Sequence, residues 1–355
     1  MRSRILAKVP GLALAVGIAI VATAIGHLVP LVGGPVSGIV LGVALATIIK
    51  PSARLRPGMN TASKFVLQLS VVVLGSQLSL AQIAKVGLES LPVMLGTLVV
   101  CLVAAWLIGR WLGIVGNLRT LIGVGTGICG ASAIAAVTPV IGAVGVDVAY
   151  AISTIFLFNI TAVLVFPIIG HLLGMSQHAF GLFAGTAVND MSSVVAAATT
   201  YGPAATNYAV VVKLVRTLMI IPISLGLAAW AGRRISATEG RGEVAGLDPV
   251  TLQDDATAVQ ARGRRLNVFR LVPWFLIGFI IVAAVNSFGI IPVGIHPSLS
   301  AVSVFLITVA LSAIGLSTDL AGFRRAGAKP LILGASLWIV VSLTSLGLQF
   351  ATGLQ

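Results

Sequence analysis

Three ionisable residues sit deep within long apolar runs: Asp190 in GTAVNDMSSVVAAA, and Lys213 and Arg216 in YAVVVKLVRTLMIIP. Taking such groups out of water is costly unless they pair, find hydrogen-bond partners or face a cavity. Lys213 and Arg216 stand at i and i+3, so they share one helix face. That face can pair with Asp190 across a bundle, or present positive charge to an anion. One acid cannot neutralise two bases, so the surplus charge calls for a counter-ion, and a translocated anion is one candidate. A purely structural ion-pair network is the alternative. Asp190 is also the natural carrier of a proton or ligand of a cation. Asp147 and Asp319 lie only at the edges of apolar segments.

Asp190 belongs to an internal similarity. Residues 125–137, GTGICGASAIAAV, align without gaps on 185–197, GTAVNDMSSVVAA. Each is an apolar stretch interrupted by Gly and small polar residues, which weaken a helix interior. Broken or re-entrant helices are expected at both. Such breaks are tolerated at membrane depth only where protein or a water-filled cavity satisfies the freed backbone groups. Their half-helix N-termini offer N–H donors and a positive dipole end to an anion. Thr126, Ser132, Thr186, Asn189, Ser192 and Ser193 cluster at the breaks and are candidate anion contacts. Gln68, Gln77, Asn159 and Asn286 read as glue between helices. His27, His171, His178 and His296 lie near segment ends without metal-ligand spacing.

The elements that must position these residues are membrane spans. The chain has 355 residues, 58% hydrophobic and 9% charged, against about 25% charged in soluble domains. A soluble enzyme, a disordered tail and a disulfide scaffold are excluded, and Cys101 and Cys129 both fall in apolar runs. A spanning helix needs about 20 apolar residues. Eleven segments qualify, at 9–31, 34–50, 62–81, 90–113, 120–143, 146–172, 178–200, 205–232, 269–289, 298–320 and 327–353. The run at 34–50 is short and Gly-rich, compatible with a tilted or half-length element. The first segment does not read as a signal peptide.

The net charge of +13 sorts with topology. Arg2, Arg4 and Lys8, then Lys50, Arg54, Arg56 and Lys64, then Arg110 and Arg119, the basic loop after the eighth segment, and Arg324, Arg325 and Lys329 all fall on one side. Lys85 is the exception on the other. The positive-inside pattern puts the N-terminus in the cytoplasm and the C-terminus outside a bacterial inner membrane. It also argues against nucleic acid as a partner. Residues 1–172 form an N-terminal half, 173–232 the second broken helix and the basic helix, 233–268 a flexible cytoplasmic linker, and 269–355 the C-terminal spans, all within one transporter domain.

A longer similarity joins 65–88, FVLQLSVVVLGSQLSLAQIAKVGL, to 305–328, FLITVALSAIGLSTDLAGFRRAGA. Under this topology the two copies run in opposite directions, as inverted repeats of secondary transporters do. The shorter pair fits that inversion only if both breaks are re-entrant. If both cross fully they run the same way, and loop charges cannot decide between these cases. The fold class expected is therefore an all-α polytopic membrane protein of about 11 segments, with inverted repeats and two broken or re-entrant helices.

GICGASAIAAVTPVI, GTAVNDMSSVVAAA, VKLVRTLMIIP and TDLAGFRRAGAKPLILG together resemble the YeiH-like family of bacterial inner-membrane proteins, commonly labelled sulfate exporters. The resemblance runs from about residue 10 to the end. It implies kinship with cation/proton antiporters and bile-acid sodium symporters, with a core of broken helices against a panel. The first family motif matches at Gly127, Cys129, Gly130, Ala131 and Ser132, which adds Cys129 and Gly130 to the candidate contacts. The second matches at Gly185, Thr186, Ala187, Asp190 and Ser192, and the basic motif at Lys213, Leu214 and Arg216. Many members carry His where this chain has Asn189, which puts a proton relay there in doubt.

The function expected is secondary transport of a small anion, sulfate or a sulfonate first, by alternating access. Lys213 and Arg216 would supply positive charge, and Asp190 coupling to H+ or Na+. The partners expected are that anion and the bilayer, with a homodimer as a further candidate, and no cofactor. The rival is a cation/proton antiporter with Asp190 as ion ligand. An enzyme is not expected, since no catalytic dyad or metal pattern reaches membrane depth, and no P-loop suggests ATP drive.

Overall fold

The computed structural model describes residues 7–28, 33–49, 52, 54–114, 116–227, 273–317 and 327–354. Outside these lie the 233–268 linker, Arg2, Arg4, Lys50, Asp319, Arg324 and Arg325. Every regular element among the described residues is helical. In chain order they are α1 (Val9–Leu28), α2 (Gly33–Ile49), α3 (Arg56–Asn60), a π-helical turn (Thr61–Val66), α4 (Leu67–Leu74) and a 3-10 turn (Gly75–Gln77). Then come α5 (Leu80–Trp111), α6 (Asn117–Gly127), α7 (Ala131–Ile141), α8 (Gly145–Leu172), α9 (Gln177–Ala187), α10 (Met191–Tyr201) and α11 (Pro203–Leu218). The last three are α12 (Trp274–Ser287), α13 (His296–Leu316) and α14 (Ala328–Thr352). Six helical stretches are long and apolar enough to cross a membrane: 9–26, 80–111, 145–172, 203–227, 293–316 and 328–352.

The segments at 120–143 and 178–200 each fold back on themselves. Each is a helical hairpin that enters and returns. At the base of the first, α6 and α7, the Asn117 amide donates to the Gly142 carbonyl at 3.2 Å. At the base of the second, α9 and α10, the Tyr201 hydroxyl donates to the Met175 carbonyl at 2.5 Å. There Tyr201 also stacks on Phe180 with centroids 3.9 Å apart. Helix α8 has 28 residues, about 42 Å of rise, and runs from the first base to the second. The hairpins therefore enter from opposite ends of the molecule. This is the re-entrant alternative that the basic loops left open.

The helices form two groups. α1 to α4 pack with α12 and α13; α5, both hairpins, α8, α11 and α14 pack with one another; and α10 joins the groups by lying against α2 and α13. The Gly-rich α2 is one continuous helix, and its glycines serve close approach. A Cβ at Gly42 would sit 2.5 Å from the Ser312 carbonyl oxygen of α13, so only glycine lets these backbones meet. α4 and α13 run antiparallel, with Ser303 Oγ donating to Ser70 O at 2.9 Å and Gln77 Nε2 to His296 O at 3.1 Å. These helices belong to the two copies of the longer similarity. Residues 318–326 of the second copy lie outside the described residues.

Candidate functional site

The two hairpin tips meet in the interior, and α11 carries the side chains that join them. Helix α11 can lie along α9 because Gly181 and Gly185 face it: a Cβ at Gly185 would sit 2.8 Å from Val212. That contact aims Lys213 and Arg216, both 0% exposed, at the tips. Lys213 Nζ donates to Ile128 O at 2.8 Å and Val188 O at 2.9 Å. Arg216 Nε donates to Gly127 O at 2.7 Å, Nη2 to Thr126 O at 3.3 Å, and Nη1 to Thr186 O. Ile128 and Val188 are partners in the 125–137/185–197 alignment, and so are Thr126 and Thr186. Each cation thus takes an aligned pair of carbonyls, one from each tip.

These carbonyls are the ones a helix leaves unpaired at its C-terminal end. α6 and α9 both end at the tips, where their dipoles are negative. Two cations on two negative ends is a favourable arrangement of charge-assisted bonds. It also answers what the bases pair with. Among the described residues neither forms an ion pair with Asp190, and the one salt bridge is Lys85–Glu89 at 3.8 Å.

Asp190 serves the other polarity. It is the N-cap of α10, its Oδ2 accepting from Ser192 N at 3.0 Å and from the Ser192 hydroxyl. The aligned position of the first hairpin is Gly130, with φ +68° and ψ −133° and no side chain to cap α7. A Cβ at Gly130 would lie 3.4 Å from the Asp190 Cβ, so the two N-terminal ends are neighbours. Four half-helix ends converge here. Among the described residues three have a side chain of opposite charge bonded to them, and the N-terminal end of α7 does not.

The candidate residues fall into distinct settings. Thr126, Cys129, Asn189, Ser192 and Ser193 are buried at the tips, while Ser132 is exposed. The Thr186 hydroxyl is turned away, held by Ser345 Oγ at 2.6 Å on α14. Among the described residues Asn189 Oδ1 is buried without a partner. Sequence reading missed the part of Asn159. Its Oδ1 accepts from Asn189 N at 3.1 Å and Asp190 N at 3.2 Å, bracing the second tip from α8. Gln77 and Asn286 do link helices, Asn286 Nδ2 donating to Leu78 O at 3.1 Å.

Described residues whose regular elements are all helical, six of them apolar helices long enough to span, and a buried polar junction between opposed hairpins define a multi-pass membrane protein. The family model described as conserved hypothetical protein 698 matches residues 10–334. A UPF0324 membrane protein of Streptococcus mutans is 41% identical over 352 residues, covering 98% of each chain. One of Streptococcus pyogenes is 39% identical over 353 residues, again 98% of each. One of Fusobacterium nucleatum is 38% identical over 367 residues, covering 98% of this chain and 99% of its own. No solved structure matches. The chain belongs to the UPF0324 family of membrane proteins, the YeiH-like family that its motifs resemble.

Proposed function

We propose that the protein is a secondary transporter of a small oxyanion, sulfate or a sulfonate first, working by alternating access in a bacterial inner membrane. The observation that carries this is the unmatched N-terminal end of α7. In the second hairpin the aligned end holds a carboxylate oxygen of Asp190 on a backbone N–H and the Ser192 hydroxyl. In the first hairpin the acid is replaced by Gly130 and the serine is kept as Ser132. A substrate oxygen would take the place of the missing carboxylate, with Thr126, Cys129 and the facing Asn189, Ser192 and Ser193 around it. Lys213 and Arg216 would act through their field and by holding the tips together.

The aligned carbonyl pairs favour reading the hairpins as inverted repeats about an axis near α11, with the N-terminus cytoplasmic and the C-terminus outside. Asp190 would couple transport through H+ or Na+. A second reading, a cation/proton antiporter, draws support from the unpartnered Asn189 Oδ1 beside the Asp190 carboxylate, an acceptor pair suited to a cation rather than an anion. Flux in proteoliposomes separates the two. Sulfate uptake that persists with any cation, and is lost in Ser132→Asp, where a carboxylate in the first turn of α7 fills that end at an exposed position, supports the anion. Sodium-dependent proton flux indifferent to every anion overturns it.

A further inference from the structure

The two hairpins match in sequence but not in surroundings. Helix α10 is sealed. Residues 192–198 are all buried, and Val195, 0% exposed, packs in one cluster with Val36 and Ile39 of α2 and Ile307, Leu311 and Ile314 of α13. Helix α7 packs against α6 and α8, and its Ser132, Ala135 and Pro139 are exposed. In the alignment Ser132 pairs with Ser192 and Ala135 with Val195. One face is therefore closed in one hairpin and open in the other.

We infer that this conformation is open toward the end that carries Arg110, Arg119 and Lys329, with the Ser132–Ala135–Pro139 face of α7 as the wall of an aqueous vestibule leading to the tips. That end is fixed by the first hairpin's base, where Arg119 packs on Gly109 and Lys329 approaches Gly113. What covers the face in the opposite conformation follows from the longer similarity. Helix α13 seals α10, and its Ile307, Leu311 and Ile314 align with Leu67, Val71 and Leu74, all on α4. Leu67, Val71 and Leu74 are buried in this conformation, Val71 and Leu74 in the cluster that holds Val195, so α4 of this same chain must leave that cluster to become the occupant of the α7 face, Ala135 then meeting it as Val195 meets α13. The composition of the face suits both duties: a serine at the tip tolerates water, and alanine lets a helix approach closely.

This inference rests on the transporter reading, and one experiment separates their failures. Ala135→Cys and Val195→Cys are placed singly in the full-length chain. They are labelled with a membrane-impermeant maleimide in vesicles of each orientation, against the parent, whose Cys101 and Cys129 are buried. Ala135→Cys is expected to react from the Arg110/Arg119 face about tenfold or more faster than Val195→Cys, as an accessible thiol does beside a buried one. An Ala135→Cys thiol inert from both faces, with Ser132→Cys inert as well, means that α7 faces lipid and overturns the vestibule whatever flux is measured. Reaction only from the opposite face overturns it too. The vestibule confirmed, but Val195→Cys inert from the opposite face under every imposed ion gradient, leaves the vestibule standing and overturns both the closure by α4 and the transporter reading.

Discussion

Arg216 and Lys213 are the residues on which the site closes, and their partners are carbonyls rather than acids. Removing Arg216 leaves three carbonyls unpaired in a dry junction, each worth about 1–3 kcal/mol. Arg216→Met is therefore expected to lower the thermal midpoint of the purified protein sharply, and Arg216→Lys to recover only part, since one ammonium cannot span the fork. An unchanged midpoint for Arg216→Met would mean that the tips do not depend on it. Asn159→Leu frees the N–H groups of Asn189 and Asp190. It is expected to abolish flux while membrane expression persists, and full flux would rule out its bracing role. Asp190→Asn keeps an oxygen for Ser192 but loses the charge. It is expected to remain folded with flux no longer responsive to pH or sodium gradients.

Among elements, the hairpins are the decisive ones. Their breaks were readable from Gly125–Ser132 and Gly185–Ser193, because glycines interleaved with small hydroxyls weaken a helix interior, whereas the glycines of α2, with fewer hydroxyls among them, serve close approach. Their re-entrance was not readable. Two full crossings and two re-entrant hairpins leave Arg110, Arg119 and the later basic loops on the same side, and what decides is tertiary: Asn117 on Gly142, and Tyr201 on Met175. Asn159 was hidden for a similar reason, since one Asn in a 28-residue apolar helix looks like ordinary glue until its acceptors' partners are known. The partners of Lys213 were hidden because backbone carbonyls carry no residue type. Two exposed positions test the topology. Val144, 61% exposed, and Leu173, 58% exposed, flank α8. Val144→Cys is expected to label from the same face as the Arg110/Arg119 loop and Leu173→Cys from the opposite one; full crossing of both segments reverses both. Gly130→Ala tests the tip itself. Its φ of +68° with ψ −133° is open to glycine alone, so the substitution should cost about 1–3 kcal/mol in a denaturation assay.

For the whole molecule, the proposed transport asks how two groups of helices would expose one site to two sides. Of the hairpin helices α10 lies against α2 and α13, beside Val163 of α8 and Val210, Val211 and Leu214 of α11 in the same buried cluster, while its twin α7 has the matching face free. A motion that releases α10 and seats α7 exchanges the Val195 contact with α2 and α13 for one made by Ala135. The exchange leaves the Lys213 and Arg216 junction intact, because those bonds lie within the group that holds both hairpins. Ala135 is then a position where bulk blocks movement without touching the site. It is exposed, so Ala135→Trp adds a side chain into open space and should change stability by less than about 0.5 kcal/mol. Closure against α4 would, however, have to bury an indole where an alanine fits. Sulfate is expected to raise the thermal midpoints of the parent and of Ala135→Trp alike, while sulfate exchange by Ala135→Trp falls to background. The sense of the block is specific, since Val195→Trp should unfold the seal and lower the midpoint instead. Exchange at parental rate in Ala135→Trp would show that α7 never seats against the other group, and that the two hairpins, alike in sequence, do different work.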